Sequence, residues 1–175
     1  YQQGMNVIAA QQYGTPPNAT YGIKVDTGNW AALPSWYTGN LPDIIDFAVD
    51  GSRTYRENYS DAYATAIFIN SLYRLYLVTG NLDYVRSLSP TMSAAVSGLQ
   101  AFDANYDSRY GSDGNLVPNL LVPMGDLGNI AGEYPGETAQ VVYAYEDAAA
   151  LMRLYGQNAQ ANLLLTNYVS PTRAA

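Results

Sequence analysis

The spacing of hydrophobic and polar positions predicts helices over the second two thirds of the chain. From Ala64 onward, apolar residues recur at i, i+3, i+4 and i+7, the spacing of one face of a helix. The positions of this stripe are Ala64, Ile67, Phe68, Ser71, Leu72, Leu75 and Tyr76. Gly80 is expected to end the helix, and Ser60 or Asp61 is expected to cap its start.

Further helices are predicted before a long loop. One begins near Leu82, and Ser89-Pro90 starts the next, with proline in its favoured first position. Met92, Ala95, Val96 and Leu99 form its apolar side. This helix is expected to end at Phe102, and a loop is expected over 103–137.

After that loop the pattern predicts a second pair of helices. Apolar positions from Val141 to Met152 form a stripe that Gly156 should end, and a last helix covers about 159–168. The two pairs have tight turns at Gly80-Asn81 and Gly156-Gln157. Helix pairs with short turns at one end and long loops at the other are typical of an α/α solenoid or toroid. The predicted fold class is therefore all-α.

The first third of the chain shows little sustained periodicity. In this segment, 1–59, we expect the end of a helix in "MNVIAAQQYG" and a short helix or strand around 44–49. A loop-rich segment of this length usually lines a functional site. We therefore expect a single domain over 1–175, with a loop-rich part over 1–59 and helical hairpins over 60–168.

Charge excludes several classes of partner. The chain has 175 residues, of which 13% are charged, and a net charge of −7. Without a basic patch we expect no nucleic-acid partner and no binding to an anionic membrane. No apolar run reaches the ~18 residues of a membrane span. An uncharged or cationic substrate fits this balance better.

The absent residue types limit the chemistry. The sequence contains no Cys and no His, which excludes a disulfide framework, a thiolate nucleophile and a Ser-His-Asp triad. We expect no cofactor and no metal. Acid-base chemistry would come from Asp, Glu, Tyr or Lys.

Two sequons favour secretion. Asn18-Ala-Thr and Asn58-Tyr-Ser are candidate N-glycosylation sites, although such triplets also arise by chance in polar sequences. With a single lysine, they indicate a secreted, extracellular glycoprotein. A chain that starts at Tyr1 is further expected to be processed or a fragment.

Three acids are concentrated in the glycine-rich stretch "GDLGNIAGEYPGETAQ", namely Asp126, Glu133 and Glu137. The glycines would let the backbone fold tightly enough to present acids inward. Each acid also has an ordinary structural interpretation. Asp126 could bond its own backbone in a turn. Glu137 could complement a helix dipole, and Glu133 could be a solvated loop acid.

Several motifs, taken in order, resemble a known superfamily. Asp61-x-Tyr63, "YLVTGN", Asp113-Gly114, "GDLGN" and "VVYAYEDAAALMRLYG" resemble the six-hairpin glycosidases with an (α/α)6 barrel, most of all the α-L-rhamnosidase-like group. Asn81 replaces the usual Asp of the second motif. Leu127 stands where a Trp is usual, which removes a ring and bears on rhamnose specificity. The resemblance covers about residues 55–168 and implies roughly half of a barrel.

The resemblance also implies roles for particular residues. Asp126 and Glu137 would be the catalytic acid-base pair of a glycoside hydrolase acting on a neutral sugar. The residues that would bind the carbohydrate substrate are Glu57, Asp61, Tyr63, Trp30 and Trp36. Asp61 could equally cap its helix, and packing under loops is the commoner use of such aromatic rings. A non-catalytic carbohydrate-binding or structural protein on the same scaffold is the alternative, and a polysaccharide lyase is disfavoured by the absence of His.

Overall fold

The computed structural model describes residues 2–10, 12, 22–24, 30–32, 39–41, 44–47, 53–56, 62–110 and 135–174. For the strands, and for residues 102–110, 135, 137 and 174, it describes the backbone alone and not the side chains. The helices are α1 (Gln2–Ala9), α2 (Tyr63–Thr79), α3 (Leu82–Ser87), α4 (Ser89–Tyr110), α5 (Pro135–Leu154), α6 (Asn158–Leu164) and α7 (Ser170–Ala174). The strands are β1 (Gly22–Lys24), β2 (Trp30–Ala32), β3 (Ile44–Phe47) and β4 (Arg53–Arg56). Helices dominate the described chain, in agreement with the all-α prediction.

Helix α2 ends where the sequence predicted. Gly80 adopts the left-handed conformation with φ 64° and donates its backbone N–H to the carbonyl of Tyr76 at 2.7 Å. Glycine takes this conformation without a steric penalty. The start differs from the prediction, because Ala62, rather than Ser60 or Asp61, occupies the N-cap position and offers no side-chain hydrogen bond.

Helices α3 and α4 follow after a tight turn. The Asn81 side chain accepts a hydrogen bond from the Tyr84 backbone N–H at 3.0 Å and so caps α3. Helix α4 continues to Tyr110, so the predicted end at Phe102 is wrong. The sequence contained a signal for these last turns, because in "FDANYDSRY" the aromatic residues Phe102, Tyr106 and Tyr110 recur at i, i+4 and i+8 and neither Gly nor Pro stops a helix.

Helix α5 begins at Pro135, ahead of the predicted stripe, so the loop expected over 103–137 is too long at both ends. Proline is favoured in the first turn of a helix, where its missing N–H has no partner to lose. The residues between α4 and α5, 111–134, lie outside the described residues. Gly156, with φ 83°, ends this helix pattern as predicted.

Helix α5 and the segment after it run antiparallel. Tyr145 packs on Tyr168 with ring centroids 5.4 Å apart. Arg153, which follows Tyr145 in α5, donates to the Oδ1 of Asn162, which precedes Tyr168, at 3.1 Å. The two contacts therefore run in opposite order along the two segments. The predicted last helix is interrupted, because a π-helical turn over Leu165–Val169 separates α6 from α7.

The hydrophobic core surrounds α2. This helix contacts α1, α3, α4 and α5, and its contact with α5 is the largest in the described chain. Ile69 and Leu72 are fully buried there, as are Met92 on α4 and Leu151 on α5. Fully burying one such side chain stabilises a fold by about 1.5–3 kcal/mol. Packing against α5 therefore provides much of the stability of α2.

Two short hairpins occupy part of the first third. Strand β1 pairs antiparallel with β2, and β3 pairs antiparallel with β4. Strand β1 also contacts β4. Strands of three or four residues are too short for the alternation that reveals a strand in a sequence. Only the one near Ile44 was anticipated, as a helix or strand around 44–49.

Candidate functional site

Most predicted site residues lie outside the described residues. These are the candidate acids Glu57, Asp61 and Asp126, the aromatic residue Trp36 and the sequon residues Asn18 and Asn58. Glu133, the third acid of the glycine-rich stretch, lies outside them as well. Their roles remain predictions from the sequence.

Three predicted site residues have described positions. Tyr63 is the first residue of α2, and its side chain is 45% exposed. The backbone of Glu137 lies in the first turn of α5. Trp30 opens strand β2, where its backbone is aligned with Lys24 of β1. Tyr63 and Glu137 thus mark the starts of the two helices that share the largest contact.

The sequence analysis missed Asp147, which lies in the middle of α5 and is half-buried. Burial raises the pKa of its carboxyl to about 6; the positive charge of Arg74 lowers it, and the negative charge of Glu146 raises it. Burial penalises the charged form of a carboxyl, and a single nearby cation compensates only in part. Asp147 therefore titrates near neutral pH, unlike an ordinary surface aspartate.

Arg74 on α2 and Asp147 on α5 interact electrostatically across the contact between the two helices. On α2, Ile67 and Arg74 are seven residues apart and lie on the exposed side. On α5, Tyr143 is 57% exposed and precedes Asp147 by one turn. Residues four and seven apart share one face of a helix. Tyr143 therefore shares a face of α5 with Asp147, and Ile67 shares a face of α2 with Arg74.

A buried amide lies near this pair in the sequence of α2. Asn70 precedes Arg74 by one turn and is 5% exposed. Its Oδ1 has no hydrogen-bond partner among the described residues. An unsatisfied buried acceptor costs about 1–3 kcal/mol. Among the described residues, the Oδ1 of Asn70 on α2 is therefore a buried hydrogen-bond acceptor without a donor.

Asp147 has the protonation behaviour that acid-base chemistry needs. A carboxyl with a pKa of about 6 exchanges a proton readily near neutral pH. Perturbed groups of this kind are frequent in functional sites. The sequence does not distinguish Asp147 from a surface aspartate; only the structure shows that Ala148 and Ala149, which follow it, are buried.

Tyr155, at the end of α5, is a second residue with a shifted pKa, and its surroundings indicate a structural role. Burial raises the pKa of Tyr155 to about 12, and the charge of Arg86 lowers it. The Arg86 guanidinium lies 5.8 Å from the centre of the Tyr155 ring, and Arg86 also donates to the carbonyl of Leu154 at 3.5 Å. This cation–π contact fastens the end of α5 to α3.

Among the described residues, no three His, Cys, Asp or Glu side chains are close enough to hold a metal ion. Within the same part of the chain, every helix is too short or too polar to cross a membrane.

Comparison of the chain with protein-family models, with curated proteins and with solved structures finds no match.

Proposed function

We propose that this protein is a secreted glycoside hydrolase that cleaves a neutral sugar linkage with carboxylates as general acid and base. One observation is the main support. Two of the candidate acids, Asp61 and Glu137, lie in the sequence just before α2 and within the first turn of α5, and these two helices pack directly on each other. Asp61 precedes Tyr63 by two residues, and Glu137 lies within the first turn of α5.

Helical hairpins on an α/α toroid are part of the proposal. The antiparallel packing of α5 on the segment 158–174 supports it, as do the tight glycine turns at Gly80 and Gly156. In such an arrangement the long loops gather at one end and form the site. The segments 57–61 and 126–137 would then contribute to one cleft.

The proposed chemistry requires one protonated carboxyl and one ionised carboxylate. One protonates the leaving oxygen, and the other activates water or attacks the sugar. Carboxyls about 6.5–9.5 Å apart would give inversion, and about 5–5.5 Å would give retention. Asp126 and Glu137 are the proposed pair. Glu57 and Asp61 would orient sugar hydroxyls, and the rings of Tyr63, Trp30 and Trp36 would stack on the sugar.

A charge-removing substitution tests this proposal. Asp126→Asn should lower kcat on the aryl glycosides that the wild-type chain hydrolyses by about 10²- to 10⁴-fold, the usual contribution of a general acid or base. Glu133→Gln is the matched control, since it removes one charge from the same glycine-rich stretch at an acid with no proposed role. Both variants should keep the circular dichroism spectrum of the wild type.

Two results would contradict the hydrolase. One is a loss below about tenfold for Asp126→Asn, because proton transfer contributes more than that. The other is a wild-type chain that binds neutral glycans in affinity electrophoresis and hydrolyses none of them. The second result would favour the non-catalytic carbohydrate-binding protein.

A further inference from the structure

Helix α2 begins without a capping side chain. Its N-cap residue is Ala62, which makes no side-chain hydrogen bond to the first turn. The first four backbone N–H groups of a helix have no partner within the helix, so an uncapped first turn tends to fray. Tyr63, the first residue of α2, depends on this turn for its position, and its side chain is 45% exposed. The start of α2 therefore relies on contacts with other parts of the chain.

Thr65 attaches the first turn of α2 to a distant segment. Its side chain is fully buried, and its Oγ1 accepts a hydrogen bond from the backbone N–H of Leu41 at 2.9 Å. Leu41 is 1% exposed, so removing the hydroxyl would take this hydrogen bond from a buried N–H. We call residues 39–41 the strap.

The strap approaches the backbone of α4 closely. Gly39 has φ 92°, and a Cβ placed on it would overlap the carbonyl oxygen of Ala94. A Cβ on Gly98 would lie 2.8 Å from the backbone nitrogen of Asn40. The two glycines thus let the strap meet the helix at a distance that any side chain would prevent.

The side chain of Gln12 ties the strap to α4. It is 0% exposed, and its Nε2 donates to the carbonyl of Gly39 at 2.7 Å and to the carbonyl of Thr91, in the first turn of α4, at 2.8 Å. A leucine at position 12 would fill similar space without a buried polar group to satisfy. The two directional bonds instead fix one position of the strap along α4, because a shift would leave buried polar groups unpaired.

These contacts lead from Gln12 to the start of α2. At one end of the strap, Gln12 and the backbone of α4 fix Gly39. At the other end, Leu41 is bonded to Thr65, two residues after Tyr63. Consecutive Cα atoms are only about 3.8 Å apart, so a strap of three residues that is held at both ends has little freedom to move.

We infer that Gln12 and Thr65 are positioning residues, which through the strap hold the first turn of α2 and with it the side chain of Tyr63, which contacts a neutral sugar. That Tyr63 contacts a sugar rests on the proposed function. The attachment of the first turn rests on the hydrogen bonds and close contacts of the strap alone. The two parts can be tested separately.

Hydrogen exchange tests the attachment. Thr65→Val keeps the shape of the side chain and removes the acceptor, so the Leu41 amide should exchange about tenfold faster or more, since losing one net hydrogen bond changes an opening equilibrium by about that factor. The Ala66 amide, which donates to the carbonyl of Ala62 at 3.0 Å, should also exchange faster. Thr65→Ser keeps the hydroxyl and should leave both amides close to the wild type.

A matched control lies at the other end of the same helix. The hydroxyl of Thr79 donates to the carbonyl of Leu75 at 2.7 Å and accepts from the backbone N–H of Asn81 at 3.2 Å. Thr79→Val is therefore the same substitution away from the strap, and it should leave both amides unchanged. If Thr79→Val and Thr65→Val accelerate the two amides equally, a general loss of stability explains the effect and the inference is overturned.

Gln12→Met tests whether the strap transmits the effect. It removes both donated bonds at the far end of the strap from α2, and the Leu41 and Ala66 amides should exchange faster. Tyr84→Phe is the control, because it removes hydrogen bonds between α3 and α1 and should leave both amides unchanged. If Gln12→Met does not fold, Gly98→Ala perturbs the same end of the strap and should have the same effect. A faster Leu41 amide with an unchanged Ala66 amide would show that the strap does not hold α2, and would overturn the inference.

Affinity electrophoresis with neutral polysaccharides tests the sugar. Tyr63→Ala should abolish the retardation of the chain, and Thr65→Val and Gln12→Met should weaken it. The conservative variant Thr65→Ser and the control Thr79→Val should leave it intact.

Three results would count against the inference. Retardation that Tyr63→Ala abolishes but Thr65→Val and Gln12→Met leave intact would contradict the positioning role. Retardation that Tyr63→Ala leaves intact would contradict the contact between Tyr63 and the sugar. A wild-type chain that no neutral polysaccharide retards would overturn the proposed function and the sugar part of this inference, while the exchange results would still decide the attachment.

Discussion

Asp147 on α5 interacts electrostatically with Arg74 on α2. These two helices share the most extensive contact in the described part of the chain. Burial raises the pKa of Asp147 to about 6, and the guanidinium of Arg74 opposes that rise without cancelling it. Helix packing alone creates this relationship, because the two residues are far apart in the sequence. Several measurable consequences follow from the pair and from the packing around it.

Replacing Asp147 should change how stability depends on pH. Because its folded pKa is above the ordinary value of 3.8, the folded state binds this proton more tightly than the unfolded state. The stabilising contribution is present below about pH 4 and is lost as the pH rises through about 6. Asp147→Asn should therefore be more stable than the wild type at pH 8, by about 1 kcal/mol after allowing for its partial exposure.

Urea unfolding of both proteins between pH 4 and pH 8 measures this difference, and the contributions of other acids cancel. Asp83→Asn is the control, since Asp83 is an exposed acid in the first turn of α3, where a negative charge favours the helix, and its loss should not stabilise the protein. A stability difference between Asp147→Asn and wild type that is constant over this pH range would contradict the raised pKa.

Removing Arg74 should raise the pKa of Asp147 further. Arg74→Gln takes away the one cation that lowers this pKa, so the carboxyl should titrate above 6 in the variant. NMR titration of the Asp147 carboxyl carbon measures the shift. Arg153→Gln is a matched control on α5, because Arg153 is exposed and bonds Asn162. An unchanged pKa in Arg74→Gln would show that the two charges do not interact.

The left-handed glycine at the end of α2 should resist substitution. Gly80→Ala places a Cβ where φ is 64° and should destabilise the fold by about 1 kcal/mol. Gly136→Ala is the contrasting variant, since Gly136 is within helix α5 and has nothing within 4 Å of an added Cβ. It should be neutral or stabilising by about 0.5 kcal/mol. Thermal unfolding of the two variants should give shifts of opposite sign or clearly different size.

A cavity at the centre of the core should be costly. Leu72 is fully buried on α2, and Leu72→Ala should lower the free energy of unfolding by about 2–5 kcal/mol. Leu163 is 60% exposed on α6, so Leu163→Ala should change it by less than about 0.5 kcal/mol. Equal effects in chemical denaturation would mean that α2 is not the centre of the core.

The sequence by itself determined the features that depend on neighbouring residues. The stripe from Ala64 to Tyr76 predicted α2, and Gly80 and Gly156 predicted the two turns, because helix periodicity and the left-handed conformation are properties of a few consecutive residues. Of the motifs that carry the resemblance, Asp61-x-Tyr63 falls at the start of α2, and the glycine-rich stretch with Asp126 precedes and enters α5 in the sequence. The roles of Asp61 and Asp126 remain predictions from the sequence, because both residues lie outside the described part of the chain.

Only the tertiary structure decided the features that join distant residues. The short strands become ordered by pairing with each other. Asp147 looks like a surface aspartate in the sequence, and its pKa is raised because other elements bury it. The side chain of Gln12 is likewise buried, and it donates to the carbonyls of Gly39 and Thr91, which are 27 and 79 positions away. Burial and long-range hydrogen bonds are set by which helices meet, and that information is not contained in any local stretch of sequence.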